Sequence, residues 1–122
     1  MKGKTILICD DDESVLETLC MVLASFGFTV IPEKKSSNIF TMLDHHKPDL
    51  LLVDLWMPAL PGDEVIINLK SNPATSNIPV ILISASAEAK TVAADTGADG
   101  FLAKPFQLHE LISMIESKLL VA

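Results

Sequence analysis

Five short apolar runs, separated by stretches of helical period, leave few folds open to this chain. They read "ILIC" at 6–9, "FTVI" at 28–31, "LLLV" at 50–53, "PVILIS" at 79–84 and "GFLA" at 100–103. Continuous apolar runs of this length fit strands buried on both faces. Between them apolar residues return at helical spacing. The first such stretch is Val15, Leu16, Leu19, Cys20, Leu23 and Phe26, closed by Gly27; the second is Ile39, Phe40, Met42 and Leu43, which must finish before Pro48. "DEVIINLK" follows Gly62, the Ala-rich "EAKTVAADTG" ends at Gly97, and Leu108, Leu111, Ile112, Ile115 and Leu119 mark a last helix. Pro32 is expected to stop the second strand. Strands that alternate with helices make a parallel sheet covered on both faces and joined by right-handed crossovers. The pattern predicts an α/β, doubly wound (βα)5 domain, for which 2-1-3-4-5 is one possible strand order. No repeat, low-complexity tract or linker divides it, so residues 1–122 read as one domain.

A chain of 122 residues with 49% hydrophobic residues can bury a full core. Nine Lys and Arg face sixteen Asp and Glu, for a net charge of -7, and no basic cluster exceeds Lys34–Lys35. That argues against nucleic acid and against an anionic membrane as partners. Apolar stretches broken by Asp54, Pro58 and Pro79 stay well short of the roughly 20 residues a spanning helix needs. The basic start is followed by too brief an apolar stretch for a secretory signal. Cys9 and Cys20 read as small core residues in a reducing compartment, which points to the cytoplasm.

Acids occupy the strand ends. "CDDDE" follows the first strand and Asp54 closes the third. With order 2-1-3-4-5 these ends are neighbours where the winding reverses, the place where open α/β sheets bind ligands. Ser84 ends the fourth strand and Lys104 follows the fifth. Adjacent carboxylates repel unless a cation neutralises them, and hard oxygen ligands suit Mg²⁺. A metal on Asp10, Asp11 and Asp54 leaves room for a phosphoryl group. Asp54 then becomes the nucleophile, with Ser84 and Lys104 stabilising the transferred oxygens.

"ILICDDD", "PDLLLVDLWMP", "IPVILISA" and "GADGFLAKPF", in this order and spacing, resemble the receiver domain of two-component response regulators, of the stand-alone type. The resemblance covers nearly the whole chain and implies a flavodoxin-like fold and a role in phosphorelay signalling. By resemblance Asp54 is the phosphoacceptor, and Asp10 and Asp11 are the acid pair for Mg²⁺, with Mn²⁺ as an alternative. The Trp56 backbone carbonyl is a further metal ligand, Ser84 and Phe101 are the switch pair, and Lys104 is the family lysine before a cis proline. The implied partners are a sensor histidine kinase or histidine phosphotransfer protein, and a downstream protein. The implied activity is that of a switch that catalyses its own phosphorylation and dephosphorylation, not of a dedicated enzyme. Trp56 and Ser86 hold the positions that meet the attacking water in this family, and bulky Trp56 is expected to slow loss of the phosphoryl group. Two departures stand out: Pro61 replaces a common acid, and the segment from Ser84 to Phe101 is slightly short, so the fourth helix should be short.

Blander readings apply to single residues. Asp12 is expected to cap the first helix, and Asp63 and Glu64 to cap and charge the third. His45 and His46 should point to different sides of their helix, and His109 should lie on the surface. A haloacid-dehalogenase-type phosphatase would match Asp10-x-Asp12 but needs an acid pair after the lysine. A flavodoxin-type FMN carrier would need hydroxyls where "CDDDES" stands. A pseudo-receiver, a pure interaction module, would usually lack one of the acids or the lysine, and this chain has them all.

Overall fold

The alternation of side chains along each strand builds two cores, one on either face of a single sheet. The computed structural model describes residues 3–55, 60–85 and 88–120. Its strands are β1 Thr5–Cys9, β2 Thr29–Glu33, β3 Leu50–Asp54, β4 Val80–Ser84 and β5 Gly100–Ala103. Its helices are α1 Glu13–Ser25, α2 Ile39–His46, α3 Gly62–Ser71, α4 Ala89–Thr96 and α5 Leu108–Leu120, with a 3₁₀ turn at Ser36–Asn38. All strand pairs are parallel, as the sequence pattern predicts, in the order β2-β1-β3-β4-β5 that the family resemblance implies. Leu7, Cys9, Leu51, Val53, Val80 and Leu82 pack with residues of α2, α3 and α4. Ile6, Ile8, Leu50, Leu52, Ile81 and Ile83 pack with α1 and α5. Each of these twelve strand residues is at most 2% exposed, which is why the runs are apolar without alternation.

Several local expectations change in three dimensions. β2 does not stop at Pro32; it runs on to Glu33, with Pro32 opposite Ile8. As the edge strand, β2 can spare the proline N–H on its open side. Asp12 does cap α1, accepting the Ser14 and Val15 N–H groups at 3.0 and 3.4 Å and the Ser14 hydroxyl at 2.7 Å. That set of bonds, led by the Ser14 hydroxyl, holds its carboxyl below the usual carboxylate range. Asp63 and Glu64 sit in the first turn of α3, where they favour the helix dipole, but the cap position is Pro61 and no side chain caps it. Cys9 is a core residue, and burial, followed by the charges of Glu33 and Asp10, pushes its thiol up to about 12. Cys20 is only partly buried and Phe26 is 49% exposed, because α1 buries just the stripe Leu16, Leu19 and Leu23. His45 and His46 touch edge to face, with ring centroids 4.7 Å apart, at the end of α2, where the left-handed Lys47 halts the helix. His109 is exposed. α4 is short, as expected, and closes on Gly97 at φ 87°.

Gly62 explains how α3 begins so close to the sheet. Its N–H donates to the Leu55 carbonyl at 2.9 Å. A Cβ there would stand 2.9 Å from the Leu55 Cα and closer still to the Asp54 carbonyl oxygen. Backbone cannot yield as a side-chain tip can. Gly62→Ala is therefore expected to cost about 2 kcal/mol, the scale of overpacking a tight site. Urea denaturation of the two proteins checks this, and an unchanged midpoint contradicts it.

Candidate functional site

Four adjacent strands each deliver one polar residue to the same rim. Asp10 follows β1, Asp54 and Ser84 end β3 and β4, and Lys104 follows β5. The register Cys9 with Val53, Asp54 with Ile83, and Ser84 with Ala103 aligns them across the sheet. Main-chain bonds fix the level: Asp10 N–H donates to the Glu33 carbonyl at 3.2 Å, Leu55 N–H to that of Ile83 at 3.1 Å, and Lys104 N–H to that of Ser84 at 2.9 Å.

Two of the three acids are buried. Asp10 is 2% and Asp54 8% exposed, while Asp11 is exposed. Lys104 Nζ donates to Asp10 Oδ2 at 3.0 Å and lies 3.7 Å from Asp54 Oδ2. Asp10 Oδ1 accepts the Asp12 N–H at 2.9 Å. Burial pulls Lys104 toward the neutral form, but the Asp10 hydrogen bond and the charges of Asp10, Asp54 and Asp12 outweigh it, so its pKa is raised. The stabilisation linked to the Lys104 proton is thus fully present at neutral pH and is lost as the pH climbs through its raised pKa.

Asp10, Asp11 and Asp54 offer carboxylate oxygens that all lie within 4.8 Å of one another. Three carboxylates against the Lys104 ammonium leave two negative charges. That is the complement of a divalent cation, and the all-oxygen donor set fits a hard one. Ser84 is fully buried. Phe101 is half-buried against the core on the α2–α4 side. The pairings Ser84–Ala103 and Leu82–Phe101 put Ser84 and Phe101 on the same face of the sheet. Trp56 and Ser86, expected near the site, lie outside the described residues. Ala85 is exposed and lines a groove with Ser14, Thr18, Lys104, Pro105 and Phe106. The Lys104–Pro105 bond is cis.

Two contributors escape a reading of the sequence. Ser36 and Glu33 fix the backbone around the acids through tertiary contacts and no motif marks them, while Gly62 is legible as the glycine that opens α3 but not for its close approach to Asp54.

A doubly wound sheet with buried carboxylates, a hydroxyl and an ammonium at its winding reversal defines a class: small α/β domains that bind ligands at the carboxyl rim. Residues 6–116 match the family model of the response regulator receiver domain, and the chain belongs to that family. It is 32% identical over 121 residues to the phosphate regulon transcriptional regulatory protein PhoB of Pseudomonas aeruginosa, covering 98% of this chain and 53% of that protein. It is 33% identical over 116 residues to the DNA-binding response regulator MtrA of Mycolicibacterium smegmatis, covering 93% and 50%. The chain thus spans about half the length of these curated relatives. The receiver domain of a signal transduction histidine kinase from Syntrophus aciditrophicus superposes with a TM-score of 0.89 at 28% identity, over 96% of this chain and 90% of that one. Chemotaxis response regulator CheY4 of Vibrio cholerae gives 0.88 at 20% identity, over 96% and 99%, and shows the shared fold alone. Membership places the chain in two-component phosphorelay signalling, where receiver domains work with histidine kinases and downstream effectors. Among the described residues no helix is long and apolar enough to cross a membrane.

Proposed function

We propose that Asp54 accepts a phosphoryl group from a phosphohistidine, on a sensor histidine kinase or a histidine phosphotransfer protein. The observation that carries this reading is a buried Asp54 beside a second buried acid, with Lys104 as their shared counter-charge. An Asp54 carboxylate oxygen attacks phosphorus, and an O–P bond forms as the donor's P–N bond breaks. The leaving imidazole keeps the electron pair and takes a proton. Asp10, Asp11 and Asp54, with the Trp56 carbonyl, would hold Mg²⁺, or Mn²⁺ in its place. When bound, this cation supplies positive charge to the phosphoryl oxygens. Lys104 turns from Asp10 toward the incoming oxygens, and the Ser84 hydroxyl donates to one of them. Movement of Ser84 lets Phe101 turn inward and remodels the face made by α4, β5 and α5, a two-state equilibrium that the phosphoryl group biases.

On this reading residues 1–122 act as one cytoplasmic receiver unit. It catalyses its own phosphorylation and dephosphorylation and is not a dedicated enzyme. It either binds a downstream protein or passes the phosphoryl group on. A net charge of -7 disfavours direct contact of this segment with nucleic acid or an anionic membrane. Bulky Trp56 holds the position that meets the attacking water in this family, so Trp56→Asn should shorten the lifetime of the acyl phosphate; an unchanged decay rate by phosphate release contradicts that. The acceptor assignment is tested by treating the Mg²⁺-loaded protein with acetyl phosphate, reducing with borohydride and mapping the peptides. Conversion of Asp54 to homoserine is expected, and conversion of Asp10 or Asp11 instead overturns it.

A further inference from the structure

Two hydrogen bonds cross from the end of β2 to the segments that carry the site acids. The Glu33 carbonyl accepts the Asp10 N–H at 3.2 Å. Three residues on, the Ser36 hydroxyl, only 2% exposed, accepts the Leu60 N–H at 2.9 Å. Leu60 leads through Pro61 into Gly62, where any side chain would strike the Asp54 backbone. The turn that presents Ser36 is itself braced by Glu33, whose Oε2 accepts the Lys35 N–H at 3.0 Å and Asn38 Nδ2 at 3.3 Å. Closing that turn does not require the Ser36 hydroxyl, since Asn38 N–H already donates to the Lys35 carbonyl at 3.0 Å. Its bond serves a segment distant in sequence and adjacent to Asp54.

Resting on the assignment of Asp54 as acceptor, we infer that Ser36 is a positioning residue for the phosphoryl-transfer site, presented by a turn that Glu33 holds. It touches no reacting atom. Ser36 fixes Leu60 and, through Pro61 and Gly62, the backbone of Asp54, while Glu33 fixes the backbone of Asp10. The end of β2 and the turn that follows it therefore brace the backbone beside both buried carboxylates, adding to the register that aligns them and so to their affinity for a cation.

Ser36→Ala removes a single oxygen and tests this in the full 122-residue chain. Circular dichroism confirms the fold, hydrogen exchange reads the Leu60 amide, and calorimetry measures Mg²⁺ binding without any phosphodonor. The Leu60 amide should exchange faster, and the Mg²⁺ Kd should rise about tenfold, the low end for groups that orient metal ligands. Half-saturation of acetyl phosphate uptake by Mg²⁺ should rise by the same factor, while the rate at saturating Mg²⁺ returns to that of the unaltered chain. A lower melting temperature with unchanged Mg²⁺ affinity would make Ser36 merely structural and overturn the inference alone. An unaltered chain that neither binds Mg²⁺ nor takes up phosphoryl overturns the acceptor reading as well.

Discussion

Asp54→Asn should take up no phosphoryl group from acetyl phosphate while remaining folded. The amide keeps the volume of the carboxylate, and Lys104 retains its 3.0 Å hydrogen bond to Asp10. What the variant loses is the nucleophile, because an amide oxygen cannot form a stable acyl phosphate. It also loses one of the three charges that a cation would meet, so Mg²⁺ affinity should fall with it. Removing one buried negative charge from beside Asp10 relieves repulsion, so the melting temperature should hold or rise. Intact mass and thermal denaturation read these together. An adduct on the variant at the level of the unaltered chain would move the acceptor role to another carboxylate.

Lys104→Met should slow phosphoryl uptake by about a hundredfold, the loss associated with one preorganised donor to transferred oxygens. Its other effects follow from the pair it breaks. Without the ammonium, Asp10 and Asp54 lose a shared counter-charge, so the Mg²⁺-free variant should melt lower than the unaltered chain. The same change removes a competitor for the carboxylate oxygens, so the variant should bind Mg²⁺ more tightly, and added Mg²⁺ should recover most of the lost melting temperature. Slow uptake combined with tighter metal binding distinguishes an electrostatic role from general damage, which would weaken both. Uptake at the unaltered rate contradicts the role. Because Lys104 is held above its ordinary value, uptake by the unaltered chain should show no lysine titration between neutral pH and the ordinary lysine range.

The parts of this fold that rest on local chemistry are legible in the sequence. β5 spans Gly100–Ala103 as the apolar run predicts, and α2 and α4 end where Pro48 and Gly97 require. The rim is legible too, because four polar residues end four apolar runs and the parallel order leaves them one place to meet. Other features depend on partners far along the chain. Pro32 belongs to β2 because β2 is an edge strand, a fact of topology and not of composition. Phe26 has helical spacing but falls just past α1, at its C-cap, where the core no longer reaches. Nothing in "SSN" at 36–38 singles out Ser36, and only the tertiary bond to Leu60 sets it apart. Gly62 looks like a simple helix start until the Asp54 carbonyl is seen beneath it.

The most direct test of the central claim is the intact mass of the unaltered chain after incubation with acetyl phosphate, with and without Mg²⁺. The account predicts a single phosphoryl adduct that forms only with Mg²⁺ present. No adduct in either case, with Mg²⁺ leaving the fluorescence of the single tryptophan unchanged, would contradict it and mark the chain as an interaction module that has kept the acids without their chemistry.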